Sequence, residues 1–147
     1  MMETLYKQIE SIIDKDLPLV SNLANAAAIL YKMDNLNWAG FYISNGEYLY
    51  LGPFQGDVAC TVIPFDKGVC GKAFSLGETL IVDDVNIFEG HIACSSLSKS
   101  EIVVPILVNG KVVAVIDIDS PIYSRFNQND RVILEKVAEL LSPLFLK

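Results

Sequence analysis

The chain has 147 residues, 52% of them hydrophobic, and its 11 basic and 18 acidic residues leave a formal net charge of −7. That length suits one domain, and with roughly 70% of its unfolded surface buried such a domain needs no covalent staples. The acidic balance, with Lys and Arg scattered singly, argues against a nucleic-acid partner, and no apolar run reaches the ~18 residues of a membrane span. The opening Met1-Met2-Glu3-Thr4-Leu5-Tyr6-Lys7 lacks the basic and apolar regions of a secretory leader. A cytoplasmic location is therefore expected, where thiols stay reduced. The odd count of three cysteines, Cys60, Cys70 and Cys94, agrees, because secreted disulfide frameworks favour even numbers.

Leu5, Ile9, Ile12 and Ile13 recur at helical spacing over residues 2–15, and Leu19, Leu23, Ala26, Ala27 and Leu30 do so over 17–32. Pro18 falls in the first turn of the second helix, where its missing N–H costs nothing. Strands are predicted at 38–43 and 48–53, joined by Ser44-Asn45-Gly46, an Asn-Gly turn of the kind that takes positive φ. Residues 56–100 are the least regular. They offer a short strand near 61–63, a brief helix from Gly68-Val69-Cys70-Gly71 to about Gly77, a strand at 79–82, and a connection over 83–100 with at most a turn or two of helix. A connection that long inside a compact domain is usually functional or mobile. Strands at 102–108 and 112–118 flank an Asn109-Gly110 turn, and a final helix over about 127–144 buries Val132, Ile133, Val137, Leu140 and Leu141. Helices at both ends with hairpin-connected strands between them make an α+β fold with a mostly antiparallel sheet. The terminal helices cover one face, and the middle segment lies over the other and forms a pocket.

Cys94 ends the run Gly90-His91-Ile92-Ala93-Cys94, and seven residues later Glu101 opens an apolar strand. Asp117 and Asp119 alternate by two, so their side chains share a face. Acids that follow Val112-Val113-Ala114-Val115-Ile116 make poor core filler, although a solvated strand end with turn-capping aspartates is the plainer alternative. Trp38 and Tyr42 also share a face and offer an aromatic wall; on spacing alone such residues are more often core. The thiols, too, read as small buried hydrophobes on composition alone. His91 and Cys94 lack the paired short spacings of a structural zinc site, so a loop-positioning histidine is favoured and no metal is expected. Gly68, Gly71 and Gly77 precede no Gly-Lys-Ser/Thr and are read as backbone turns rather than a phosphate loop.

Six segments fall in one order: Asn37-Trp38-Ala39-Gly40-Phe41-Tyr42, Leu51-Gly52-Pro53-Phe54-Gln55-Gly56, Gly68-Val69-Cys70-Gly71, Gly90-His91-Ile92-Ala93-Cys94, Ser100-Glu101-Ile102-Val103-Val104-Pro105 and Asp117-Ile118-Asp119-Ser120. Together, from about residue 20 onward, they resemble the free methionine-(R)-sulfoxide reductases, enzymes built on a GAF domain. The three thiols fit the same register, ten residues separating Cys60 from Cys70 and 24 separating Cys70 from Cys94. The resemblance implies a single GAF domain over 1–147, with a helix at 1–16 at its periphery, that reduces free L-methionine-(R)-S-oxide to L-methionine. It implies Cys94 as the nucleophile, passing through a sulfenic acid, and Cys60 or Cys70 as the thiol that closes a disulfide. Thioredoxin would recycle that disulfide, and no cofactor is implied. It further implies that Glu101, Asp117 and Asp119 pair with the substrate ammonium and polarise its S=O group, while Trp38 and Tyr42 pack the S-methyl.

Relatives are often dimeric, and the apolar stripe of the first helix could serve a homodimer. The sequence departs from the family's pattern beside the nucleophile: Ser95 replaces the usual Asp, and Leu97 and Lys99 differ from the expected small or neutral residues. A lost carboxylate and a gained ammonium there favour the thiolate. Two other classes stand beside the enzyme: a non-catalytic GAF module that binds a small ligand, and a thiol redox sensor.

Overall fold

The structure is a computed structural model that describes residues 2–91 and 97–146. Its elements are α1 (Met2–Ile12), α2 (Leu19–Leu30), β1 (Trp38–Ser44), β2 (Tyr48–Gly56), β3 (Val62–Pro64), α3 (Gly68–Leu76), β4 (Leu80–Val82), β5 (Ser100–Val108), β6 (Lys111–Ser120) and α4 (Gln128–Leu141). Short 3-10 turns cover Val85–Ile87 and Ser142–Phe145. The six strands form one sheet in the order β3-β2-β1-β6-β5-β4, every pairing antiparallel. The α+β fold with terminal helices on one face is as expected.

Alternation in the central strands divides the molecule into two layers. Ala39 and Phe41 of β1, Ile102, Val104 and Ile106 of β5, and Ala114, Ile116 and Ile118 of β6 point to α1, α2 and α4 and form the main core. The intervening residues of the same strands face α3 and the connecting loops, in a second cluster with Val69, Cys70 and Ala73. Helix α1 packs on α2 and α4 through Leu5 and Ile9, both buried, while Ile12 stays exposed. Helix α4 begins with a capping box, in which Asn127 Oδ1 accepts from the Asp130 N–H and Asp130 Oδ2 accepts from the Asn127 N–H.

Several local expectations shift. Pro18 stands at the N-cap of α2, one residue outside the first turn. Val132 is 50% exposed. The buried row of α4 is Ile133, Leu134, Val137, Ala138 and Leu141, and Val132 lies off that stripe. Asn45 does not take the positive φ that Gly46 has. Its side-chain oxygen accepts from the N–H groups of Glu47 and Tyr48, so an Asx-type turn replaces the tight Asn-Gly one. Asn109 (φ 52°) and Gly110 (φ 78°) do adopt the paired positive φ of a two-residue hairpin loop.

Strand β2 runs past Pro53 to Gly56 through a bulge. Gly40 pairs with Phe54 and Tyr42 with Leu51, so one extra residue on β2 turns the strand. Gly40 permits the approach: a Cβ there would lie 2.8 Å from Phe54 Cα and 2.9 Å from the Pro53 carbonyl oxygen. Gly40→Ala should therefore cost about 1–3 kcal/mol as an overpacking substitution. Thermal denaturation should show a fall of ~2–4 °C for each kcal/mol; an unchanged midpoint would mean that the bulge yields without strain.

Candidate functional site

The register of β1, β5 and β6 builds the site. Trp38 pairs with Asp119, which pairs in turn with Glu101, so an indole and two carboxyls form a row across three strands. In the next row Asp117 sits between Gly40 and Val103. Helix α3 packs over β5 and β6 and lowers Cys70 onto the acids. Trp38, Tyr42, Cys70, His91, Glu101, Asp117 and Asp119 line one cavity of about 50 Å³. Such a space is far below the ~300–1,000 Å³ of ordinary small-molecule pockets, so even a free amino acid must spread its walls to enter.

Glu101 and Asp117 are buried, and Asp119 is half-buried with one oxygen fully enclosed. Burial pushes all three carboxyls above the usual carboxylate range, Glu101 and Asp119 the furthest, and Asp117 adds a like-charge contribution to both of them. Hydrogen bonds from Glu101, Cys70 and Asp119 counteract the rise at Asp117. The three therefore titrate as one group that retains protons above the usual carboxylate range. Asp117 Oδ1 and Asp119 Oδ1 are enclosed and accept no hydrogen bond from the described residues, which suits them to a donor entering the cavity.

The thiols differ in setting. Cys70 is free and buried, and its acidity is suppressed first by burial and then by Asp117 and Glu101. It is a neutral hydrogen-bond partner rather than a ready thiolate. Cys60, half-buried on the loop after β2, is disulfide-bonded. Cys94 and Ser95 lie outside the described residues. Lys99 places its ammonium over the Tyr123 ring, 5.1 Å from the centroid. Burial lowers the His91 pKa against the opposing pull of Asp117, and the His91 backbone N–H donates to the Phe88 carbonyl. Ligand atoms of Cys70, Glu101 and Asp117 lie within 4.8 Å of one another, close enough to hold a cation.

Trp38 and Tyr42 stack with centroids 5.9 Å apart. Phe54, not among the site residues expected from the sequence, also stacks on Trp38, with centroids 5.1 Å apart. Its signal was Pro53: a proline inside a strand marks a bulge, and the bulge turns Phe54 onto this face.

The raised carboxyls give a pH-dependent prediction. The folded state holds protons that the unfolded chain releases above about pH 4, so this contribution to stability is complete below that pH and fades as pH rises toward the folded pKa. Glu101→Gln should therefore melt above the parent protein at pH 8, with the gap closing near pH 4. Melting curves across that range check it; a gap that widens toward acid would contradict the buried proton.

The GAF domain model matches residues 18–143. The free methionine-R-sulfoxide reductase of Saccharomyces cerevisiae is 47% identical over 151 residues, covering 97% of this chain and 84% of that protein. Among solved structures, the free methionine-R-sulfoxide reductase from Neisseria meningitidis in complex with its substrate superposes with a TM-score of 0.93 at 43% identity, covering 98% of this chain and 87% of that one. The reduced form of the Staphylococcus aureus fRMsr superposes at 0.92 with 45% identity, covering 97% and 94%. With its acids, aromatics and thiols set on that scaffold, this chain is a GAF-domain protein of the free methionine-R-sulfoxide reductase family.

Proposed function

We propose that the protein reduces free L-methionine-(R)-S-oxide to L-methionine, with Cys94 as nucleophile and Cys60 as resolving thiol. The observation that carries this reading is the proton-holding Glu101–Asp117–Asp119 cluster in an aromatic-walled cavity beside Cys70. The Cys94 thiolate attacks the sulfoxide sulfur while Glu101 protonates the oxygen. That oxygen passes to Cys94 as a sulfenic acid, and methionine departs with its sulfur reduced. The Cys60 thiol then attacks the Cys94 sulfur, the S–O bond breaks, water leaves, and a disulfide remains. A thioredoxin-type dithiol restores both thiols by exchange.

Two observations support this division of labour. Cys60 is disulfide-bonded while Cys70 is free. Cys70 is also hydrogen-bonded to Asp117, which suits it to tune the acids rather than to exchange. The unoccupied oxygens of Asp117 and Asp119 suit an ammonium donor. A cavity of about 50 Å³ favours the free amino acid over a peptide. A homodimer in the cytoplasm is the form we expect to act.

The test is NADPH consumption coupled through thioredoxin and its reductase. The parent protein should turn over free methionine sulfoxide and spare a methionine-sulfoxide peptide, and Cys94→Ser should fall to background. Cys60→Ser should release about one methionine per protein molecule and then stall with thioredoxin. Oxidation of the thiols without substrate turnover would favour the redox sensor; equal rates on the peptide would refute the closed-pocket reading.

A further inference from the structure

The aromatic residues that wall the cavity are also fastened, by their polar tips, to the loop that carries Cys60. Residues 57–61 join β2 to β3 without regular structure, and Val58 within them is 88% exposed. Tyr42, only 2% exposed, donates its hydroxyl to the Cys60 carbonyl oxygen at 2.8 Å. Trp38 Nε1 donates to the Asp57 carbonyl oxygen at 3.1 Å. The far end of the loop is held where the Leu51 N–H donates to the Thr61 carbonyl at 2.9 Å. Gly56, at φ +129°, lets the chain leave β2 directly over the indole, since a Cβ there would lie 2.7 Å from Trp38 Cδ1 and from the Asn37 carbonyl oxygen. Two buried side-chain donors from one strand thus reach two carbonyls of a loop whose Asp57, Val58 and Thr61 are exposed. Packing alone explains the rings of Trp38 and Tyr42, but not why both polar tips end on this segment.

We infer that Tyr42 is a positioning residue for Cys60, its hydroxyl keeping that cysteine's backbone at the cavity rim while no disulfide tethers it, with Trp38 as a second tie at Asp57. This rests on the proposed reductase cycle, because the tie matters in the two states in which Cys60 is a thiol. In the reduced protein, and in the sulfenic state of Cys94, the Cys60 sulfur must stay within reach of its target. Closure then proceeds at an effective concentration set by how narrowly the loop is confined. The hydroxyl donates to a carbonyl and exchanges no proton with the sulfurs, so it acts on geometry alone. The wall that receives the substrate's methyl group would thereby also hold the thiol that follows it.

Tyr42→Phe deletes the donor and keeps the ring in its stack. In glutathione redox buffers, with species separated by alkylation and mass, the effective concentration of the Cys60 disulfide should fall several-fold to about tenfold, the scale of one neutral hydrogen bond. In single turnover with free methionine sulfoxide, the ratio of methionine release to disulfide closure should rise by about the same factor. Sulfenic acid at Cys94, trapped by dimedone, should accumulate. Trp38→Phe should act in the same direction, which keeps the inference testable if one variant folds poorly. A purely structural role would lower the melting temperature without moving that ratio. The glutathione titration needs no substrate, so the two readings fail separately. A parent protein that closes its disulfide but releases no methionine defeats the reductase reading, whereas variants that close it as readily as the parent overturn the positioning role.

Discussion

Three carboxyl groups held out of water, close enough to share protons, are the constraint on which the rest of the molecule depends. Buried carboxylates are costly unless neutralised or hydrogen-bonded, and here Glu101, Asp117 and Asp119 supply one another's partners with help from Cys70. They cannot swing away to solvent, because the alternate residues of the same strands are locked into the main core. Ile102, Ile116 and Ile118 are fully buried beneath the helices. A slip of one residue in β5 or β6 would exchange the two sets and drive the acids into the helix layer. The packing energy of the helical face therefore holds the chemical face in register.

The same division explains the unequal thiols. Cys70 rides on α3, which is packed over the sheet, and its surroundings keep it protonated and bonded to Asp117. Cys60 rides on a loop tied to the sheet by two aromatic side chains, and its sulfur is disulfide-bonded. A rigid thiol suits a fixed electrostatic task, and a loop-borne thiol suits exchange with a second sulfur. The aromatic residues link the layers: their rings complete the second hydrophobic cluster, and their N–H and O–H groups order the loop above it.

Much of this was legible in the residues. Period-2 alternation located β1, β5 and β6 and showed that Asp117 and Asp119 share a face, and the order of six motifs pointed to the family. The errors were local and had physical causes. The central strands extend to Ser100 and Ser120 because ladder pairing continues past the apolar run, and this draws Glu101 and Asp119 into the sheet. Pro53 reads as a strand end because it lacks an N–H, yet the bulge absorbs it and brings Phe54 to the site. Val132 reads as core from its hydrophobicity, but the face of α4 is chosen by the sheet against which it lies.

By itself, then, the amino-acid order determined which elements form, which side chains share a face, and which atoms are capable of redox chemistry, since all of these follow from local periodicity and residue type. Only the tertiary structure decided that an indole from β1, a glutamate from β5, two aspartates from β6 and a thiol from α3 meet in one chamber, and that the Tyr42 hydroxyl donates to the Cys60 carbonyl. Those encounters join residues far apart along the chain. They depend on sheet order, register and the fit of α3, and the sharing of protons depends in turn on distances that only the packed core imposes.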